Sequence, residues 1–292
     1  MRVCIVGSGG FIGAELWQVF KANPLCDTYY VSRESIEGEA HRNLSPEHIA
    51  EYEIDVLIYL ADDAKSLKEG EVQHVESNFR RLDFYLRSIK NDALFCYVSS
   101  RLVYDDVAFG KEDLSLIDKV YKNNPYGEYK RNAEFRVISE ATAQRFNYLI
   151  LRPTNVYGKN AKAQVGNSLV DHVFNCIQVE RDVVCVGDGT ACRDYVSVQF
   201  AANSIHDLIF ARQKNQIFNI TEGFNCSLNS IVSVFELIFR KKASVEYRSR
   251  NRKLNDFSAS FEKLKGVLNI SYTPEHAEAR FKNAFALSSV GP

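Results

Sequence analysis

Several things are scarce in this chain, and each scarcity removes a class of function. No excess of one charge exists: 36 Lys and Arg face 37 Asp and Glu, leaving a formal charge of -1. That balance argues against an extended nucleic-acid or membrane surface. No apolar run approaches the roughly 20 residues that cross a bilayer. Cysteines are seven, an odd number, at 4, 26, 96, 176, 185, 192 and 226, with no Cys-x-x-Cys pair. Several lie in apolar segments, which suits reduced thiols in a cytoplasmic protein better than a disulfide framework. The six histidines are scattered, so no metal site is expected. The N-terminus carries one Arg and then an apolar strand, unlike a signal peptide. Internal repeats and low-complexity linkers are also missing. What remains is 292 residues, 46% of them hydrophobic. That is enough for one large α/β domain or a domain carrying a smaller second lobe.

The most informative stretch is Val3-Cys4-Ile5-Val6-Gly7-Ser8-Gly9-Gly10-Phe11-Ile12-Gly13. Four apolar residues predict a buried strand, and glycines at 7, 10 and 13 then open a helix through Leu16, Trp17, Val19 and Phe20. Gly7 permits the tight turn, Gly10 lets the backbone approach a pyrophosphate, and Gly13 allows close helix–strand packing. The helix N-terminus offers unpaired N–H groups to that phosphate. The context of strand, turn and helix points to a dinucleotide site.

A second strand, Thr28 to Val31, ends at Ser32-Arg33. About 20 residues beyond the glycines an acidic residue suits the ribose of NAD, whereas a hydroxyl with an Arg suits the 2′-phosphate of NADP. Ser32 and Arg33 favour NADP. Pro46 marks a helix start, and Asp55–Ala61 reads as a buried strand. A helix follows over about 71–89, then a strand at Leu94–Val98 that delivers Ser99-Ser100 at its C-terminal end. A second long helix is predicted from Asn124 to about Arg145, then a strand at Tyr148–Leu151. Strands alternating with helices predict a parallel, doubly wound sheet. Beyond Gly158 a helix (about 166–179), a strand (Val183–Val186) and a Gly-Asp-Gly turn are expected. Residues 197–220 should return to the sheet. A helix near 227–240 and a strand near 244–247 would belong to a small lobe.

Tyr126 and Lys130 lie four apart, hence on one helix face, in the only Tyr-x-x-x-Lys of the chain. An ammonium near a phenol favours the phenolate, and such a Tyr can exchange a proton with a carbinol or carbonyl near neutral pH. Ser100 can hydrogen-bond the same oxygen. A surface Tyr–Lys pair is the simpler explanation of the spacing alone. The glycine loop and the Ser-tipped strand reverse that judgement.

From Arg2 to about Tyr272 the chain resembles the extended short-chain dehydrogenase/reductase family, in its nucleotide-sugar epimerase, dehydratase and reductase branch. Seven motifs in order carry the resemblance. They are Gly7-x-x-Gly10-Phe11-Ile12-Gly13, Asp55–Ala61, Asn78 early in its helix, Ser99–Tyr104, Pro125-Tyr126-x-x-x-Lys130, Leu151–Gly158 and Gly187-Asp188-Gly189 with Arg193-Asp194-Tyr195. The resemblance implies a Rossmann-type doubly wound sheet over 1–158 and a smaller C-terminal substrate-binding lobe over 159–292. Ser100, Tyr126 and Lys130 would be catalytic. Gly7, Gly10, Phe11, Ile12, Gly13, Ser32, Arg33, Leu60, Ala61, Asn78, Tyr126 and Lys130 would hold the cofactor. Ser100, Arg101, Asn155, Asn167 and Arg193 would meet a nucleotide-diphospho-sugar, an Arg being suited to bidentate phosphate binding. One of Arg248, Arg250 and Arg252 would reach the diphosphate. The helices near 71–89 and 125–145 would pair in a homodimer.

Departures from the family pattern narrow the reaction. Dehydratases of the family carry Asp-Glu directly after the catalytic hydroxyl residue, as proton donor and base; here Arg101 and Leu102 stand there. The Glu that related decarboxylases carry in this place is missing as well. Asp62-Asp63 replace small residues, and with Arg101 they are expected to line the sugar pocket. Asp105 replaces a glycine. An NADPH-dependent reductase of a nucleotide-activated keto-deoxysugar is the leading expectation. An NAD-dependent C4 epimerase is the alternative, and a non-catalytic NADP(H) sensor is a third reading.

Overall fold

Val3 to Val6 are all but inaccessible, which is what a strand covered on both faces requires. The computed structural model describes residues 1–63, 67–68, 70–104, 109–110, 124–249, 256–270 and 277–287. The N-terminal part runs β1 (Arg2–Val6), α1 (Phe11–Ala22), β2 (Asp27–Val31), β3 (Val56–Tyr59), α2 (Val72–Ser88), β4 (Leu94–Val98) and β5 (Phe109–Gly110). It continues with α3 (Pro125–Gln144), β6 (Asn147–Pro153), β7 (Asn155–Tyr157), α4 (Leu169–Gln178), β8 (Val183–Val186) and β9 (Cys192–Ser197). Then come α5 (Val198–Phe210), β10 (Gln216–Ile220), β11 (Phe224–Ser227), α6 (Leu228–Phe239), β12 (Val245–Arg248), β13 (Ser258–Ala259), α7 (Glu262–Leu268) and α8 (Ala277–Ala284).

Six of these strands make one parallel sheet in the order β2-β1-β3-β4-β6-β10. From β1 the chain goes first to one side, to β2, then back across to β3 and onward. The order therefore reverses beside β1, and in such sheets ligands settle at that reversal, outside the C-terminal strand ends. On one face α1 and α5 bury Leu16, Trp17, Phe20, Ala201, Ile205 and Leu208. On the other, α2 and α3 bury Leu82, Tyr85, Leu86, Tyr129, Ala133 and Val137. Large apolar side chains so buried contribute about 1.5–3 kcal/mol each. A third core, built from α4, α6 and α8, centres on Phe174, Phe235, Phe281 and Phe285.

Several expected boundaries move for local reasons. The helix expected from about 166 begins at Leu169, because Ser168 accepts from the Asp171 N–H while the Asp171 carboxylate accepts from the Ser168 N–H, a reciprocal cap. The Pro46 segment winds as a 3₁₀ turn and stops at Glu53, where φ is 49°. The strand expected to reach Ala61 ends at Tyr59. Small strands that periodicity did not reveal form a three-stranded sheet, β11-β9-β7. All seven cysteines are unpaired, and burial pushes the Cys4 thiol up to about 12. Among the described residues no helix is long and apolar enough to cross a membrane.

Candidate active site

The glycine loop is where the first functional side chains meet. Gly7 has φ +96°, and a Cβ there would lie 3.1 Å from the Leu60 carbonyl carbon and 3.2 Å from the Ala61 nitrogen. The turn thus touches the end of β3. At Gly13 a Cβ would stand 2.2 Å from the Gly7 oxygen, so α1 can approach only as glycine. A Cβ on Gly9 would meet the Ser32 hydroxyl at 2.9 Å. No side chain caps α1, and its first intrahelical bond runs from Ala14 N–H to Gly10 O. The N–H groups of the first turn are left facing the loop, a cradle whose dipole and donors fit a dinucleotide diphosphate. Gly7, Gly10, Phe11, Ile12, Gly13, Ser32, Leu60 and Ala61 all gather here. Arg33 lies beyond, exposed and in no ion pair among the described residues. Asn78 stands behind the cluster: it accepts from Asp63 N–H at 2.9 Å and donates to His74 O at 2.8 Å. Both ends of that amide are used inside the protein.

Ser100 and Tyr126 are brought to neighbouring segments by a cap. Asn124 accepts from Gly127 N–H at 3.0 Å and donates to Leu102 O at 3.2 Å, tying the start of α3 to the turn that follows β4. Gly127 is required there, since its Cβ would lie 2.4 Å from Leu102 O. The Ser100 hydroxyl accepts from Leu102 N–H at 3.2 Å. Tyr126 is half-buried in the first turn of α3, and the Lys130 ammonium sits 5.7 Å from its ring centre.

Lys130 is buried and not open to solvent. Its Nζ donates to Val98 O at 2.7 Å and to Asp62 Oδ2 at 2.7 Å. Asp62 also accepts from Tyr97 Oη at 2.7 Å and from Tyr129 Oη at 2.8 Å. Burial pulls the Lys130 ammonium down, but the Asp62 carboxylate and the Tyr126 phenol more than offset it, so the lysine stands above its ordinary value. Burial and the same carboxylate push the Tyr97 and Tyr129 phenols up. Expected to line the sugar pocket, the Asp62 side chain is instead turned inward, 2% exposed. Sequence spacing held no signal for this contact, because Asp62 and Lys130 are 68 residues apart. The substitution of a small residue by an acid was the only hint.

A second group lies around a cavity of about 1280 Å³ whose lining includes Arg101, Asn155, Cys185, Arg193, Tyr247 and Arg248. Arg101 Nε donates to Asn155 Oδ1 at 3.0 Å, and its guanidinium covers the Phe257 ring at 4.9 Å. Arg193 donates to Cys192 O at 2.8 Å. Neither guanidinium has a carboxylate partner among the described residues. Burial, and then the nearby Arg193 charge, pull Arg101 down to about 10, which is the environment an anionic ligand would relieve. Arg248 is exposed and paired with Glu246, while Arg250 and Arg252 lie outside the described residues. Asn167 is exposed and lines a neighbouring cavity of about 610 Å³ with Phe11 and Asn155.

Residues 3–221 match the sequence profile of a family described as the NAD dependent epimerase/dehydratase family. A UDP-glucuronic acid 4-epimerase from Bacillus cereus, solved with UDP-glucuronic acid and NAD, has the same fold: TM-score 0.78 and 18% identity, over 97% of each chain. The UDP-glucose 4-epimerase of Thermotoga maritima, solved with UDP-glucose, aligns at TM-score 0.71 and 20% identity over 91% of this chain and 92% of its own. A curated relative from Methanocaldococcus jannaschii, provisionally named a UDP-glucose 4-epimerase, is 25% identical over 143 residues, 46% of this chain. That match spans 45%, about half, of the relative's length. The profile covers most of the chain and the sheet has the Rossmann order: this protein belongs to the NAD-dependent epimerase/dehydratase family.

Proposed function

We propose that the enzyme epimerises a nucleotide-diphospho-hexose, inverting a ring carbinol, C4 in the first instance. The observation that carries this is local. Tyr126 and Lys130 stand at the head of α3 beside Ser100, while Arg101 and Leu102 occupy the places of a dehydratase's acid and base. Removal of water lacks its proton donor; transfer of one proton does not. A bound dinucleotide supplies the acceptor and donor for the hydride. Tyr126 takes the hydroxyl proton as the carbinol becomes a ketone and returns it to the same oxygen afterwards. Ser100 donates a hydrogen bond to that oxygen. The similarity to UDP-sugar 4-epimerases supports this reading ahead of the reductase expected first from Ser32-Arg33.

Arg101 and Arg193, without carboxylate partners in the larger cavity, suit the substrate's diphosphate or another anionic group. The dinucleotide belongs on residues 1–158 with 197–220, and the sugar nucleotide mainly on 159–292. Helices α2 and α3, with Val72 and Phe84 exposed on α2, are the surface proposed to pair with a second copy. Light scattering should then report twice the monomer mass.

The test is to denature the purified protein, identify any dinucleotide released, and then offer UDP-glucose and UDP-glucuronic acid without added reductant. Stoichiometric NAD and formation of the C4 epimer are expected, with Tyr126→Phe about 10²–10⁴-fold slower. An empty protein that consumes NADPH and binds it far more tightly than NADH sinks the epimerase reading. It would establish the reductase, for which the exposed Arg33, in no ion pair among the described residues, is the favouring observation.

A further inference from the structure

We propose that Asp62 is a positioning residue: its buried carboxylate fixes Lys130 and offsets the lysine's charge beside Tyr126. This rests on the reading that Tyr126 moves the proton. The geometry is specific. Three donors converge on one carboxylate, Lys130 Nζ at 2.7 Å, Tyr97 Oη at 2.7 Å and Tyr129 Oη at 2.8 Å, and they come from β4 and α3. Side-chain exposure is 2% for Asp62 and 4% for Lys130, so water screens the pair little. The loop carrying Asp62 is itself pinned, through Asp63 N–H to Asn78 and Arg81 to Ala61 O at 2.7 Å.

Two of the three ammonium protons are committed, one to Asp62 and one to Val98 O. The third has no acceptor among the described residues. The electrostatic consequence concerns Tyr126, whose ring lies 5.7 Å from Nζ. An isolated ammonium at that distance acts as a full positive charge. One matched by a carboxylate at 2.7 Å acts as a dipole. The other groups facing the pair are Tyr59 from β3, Tyr97 from β4, Arg81 from α2, and Tyr129 and Glu134 from α3. Glu134 is neutralised by Arg152, so Asp62 is the anion that sets how much of the lysine's charge Tyr126 feels.

The decisive variant is Asp62→Asn, which deletes the charge, keeps one oxygen acceptor and puts in place of the other an NH2 that a tyrosine hydroxyl can accept from. The acid limb of the kcat/KM profile should move down by about one pH unit, the lower end of what one charge at 4–6 Å does. The tyrosinate absorbance of the protein without substrate, taken as the difference from Tyr126→Phe, should titrate lower by a similar amount. Asp62→Glu should restore the original profile. A folded Asp62→Asn protein with both midpoints unmoved overturns the inference. A shifted tyrosinate titration in a protein that epimerises nothing leaves Asp62's role standing and removes the proposed reaction. Should Asp62→Asn not fold, Asp62→Asn/Lys130→Met, which removes both charges, is expected to be more stable than Lys130→Met alone. A double variant no more stable than that single one overturns the pairing.

Discussion

Arg152 has no exposed surface, yet it carries a full charge beneath the site. Its guanidinium grips Glu134 twice, Nε to Oε1 at 2.9 Å and Nη2 to Oε2 at 2.6 Å, and donates to Tyr104 Oη at 3.1 Å. Glu134 also accepts from Ser99 Oγ at 2.5 Å, and Tyr104 donates to Asn219 Oδ1 at 2.6 Å. The network joins β4, α3, β6 and β10 directly under Ser100. Both charges are desolvated, so losing one partner leaves the other bare, at about 3–5 kcal/mol. Arg152→Met is therefore expected to lower the unfolding free energy by that amount, and Arg152→Met/Glu134→Gln to recover at least half of it, as read by urea denaturation. Equal losses in the single and double variants would remove the pairing argument. The sequence showed Arg152 as part of a motif, but Glu134 looked like an ordinary helix acid. Only packing made it the partner.

At the scale of elements, the fit between α3 and the turn after β4 sets the geometry of the proposed proton-transfer residues. Asn124 caps the helix and holds Leu102 O, and Gly127 lets the two backbones meet. Gly127→Ala places a methyl carbon 2.4 Å from that carbonyl, so the helix head must move away from Ser100. A displacement of about 1 Å at reacting groups costs on the order of 10²-fold. Gly127→Ala should lower kcat by about that factor while dinucleotide affinity stays within a few-fold, because the glycine cradle lies on α1. Activity kinetics and equilibrium binding of the dinucleotide separate the two effects. Unchanged kcat would mean that the contact does not position the triad. Asn124 as the helix start was legible from its residue type. Gly127 against Leu102 was not, since it joins segments 25 residues apart.

Across the whole molecule, the proposed dinucleotide cradle and proton-transfer residues sit at the C-terminal ends of neighbouring strands, β1, β3 and β4. A ligand seated on the cradle contacts elements from both sides of the strand-order reversal, so binding should stabilise the fold as one body. At a hundredfold excess over its dissociation constant a ligand adds about 2.7 kcal/mol, which for a chain of this size raises Tm by about 4 °C. Thermal unfolding with and without NAD or NADP measures this and ranks the two cofactors. A Tm indifferent to both would contradict the cradle's assignment. The larger cavity lies on the other side of Arg101, where β8, β9 and α6 meet. The guanidiniums of Arg101 and Arg193, without a carboxylate partner among the described residues, come from segments 92 residues apart in the chain.

The sequence by itself determined the parallel sheet, the glycine loop and the family, and it named Ser100, Tyr126 and Lys130 as the set proposed to move the proton. Each is encoded by local periodicity or by spacing within a few residues. β7, β9 and β11 escaped because short strands paired on few residues leave little period to read. The tertiary structure alone decided that Asp62 lies on Lys130 instead of lining a pocket, that Asn78 faces inward, and that Arg101 and Arg193 share one cavity. Charges interact through space at a few ångströms, and nothing in chain order reports that distance until the sheet has brought its strands together.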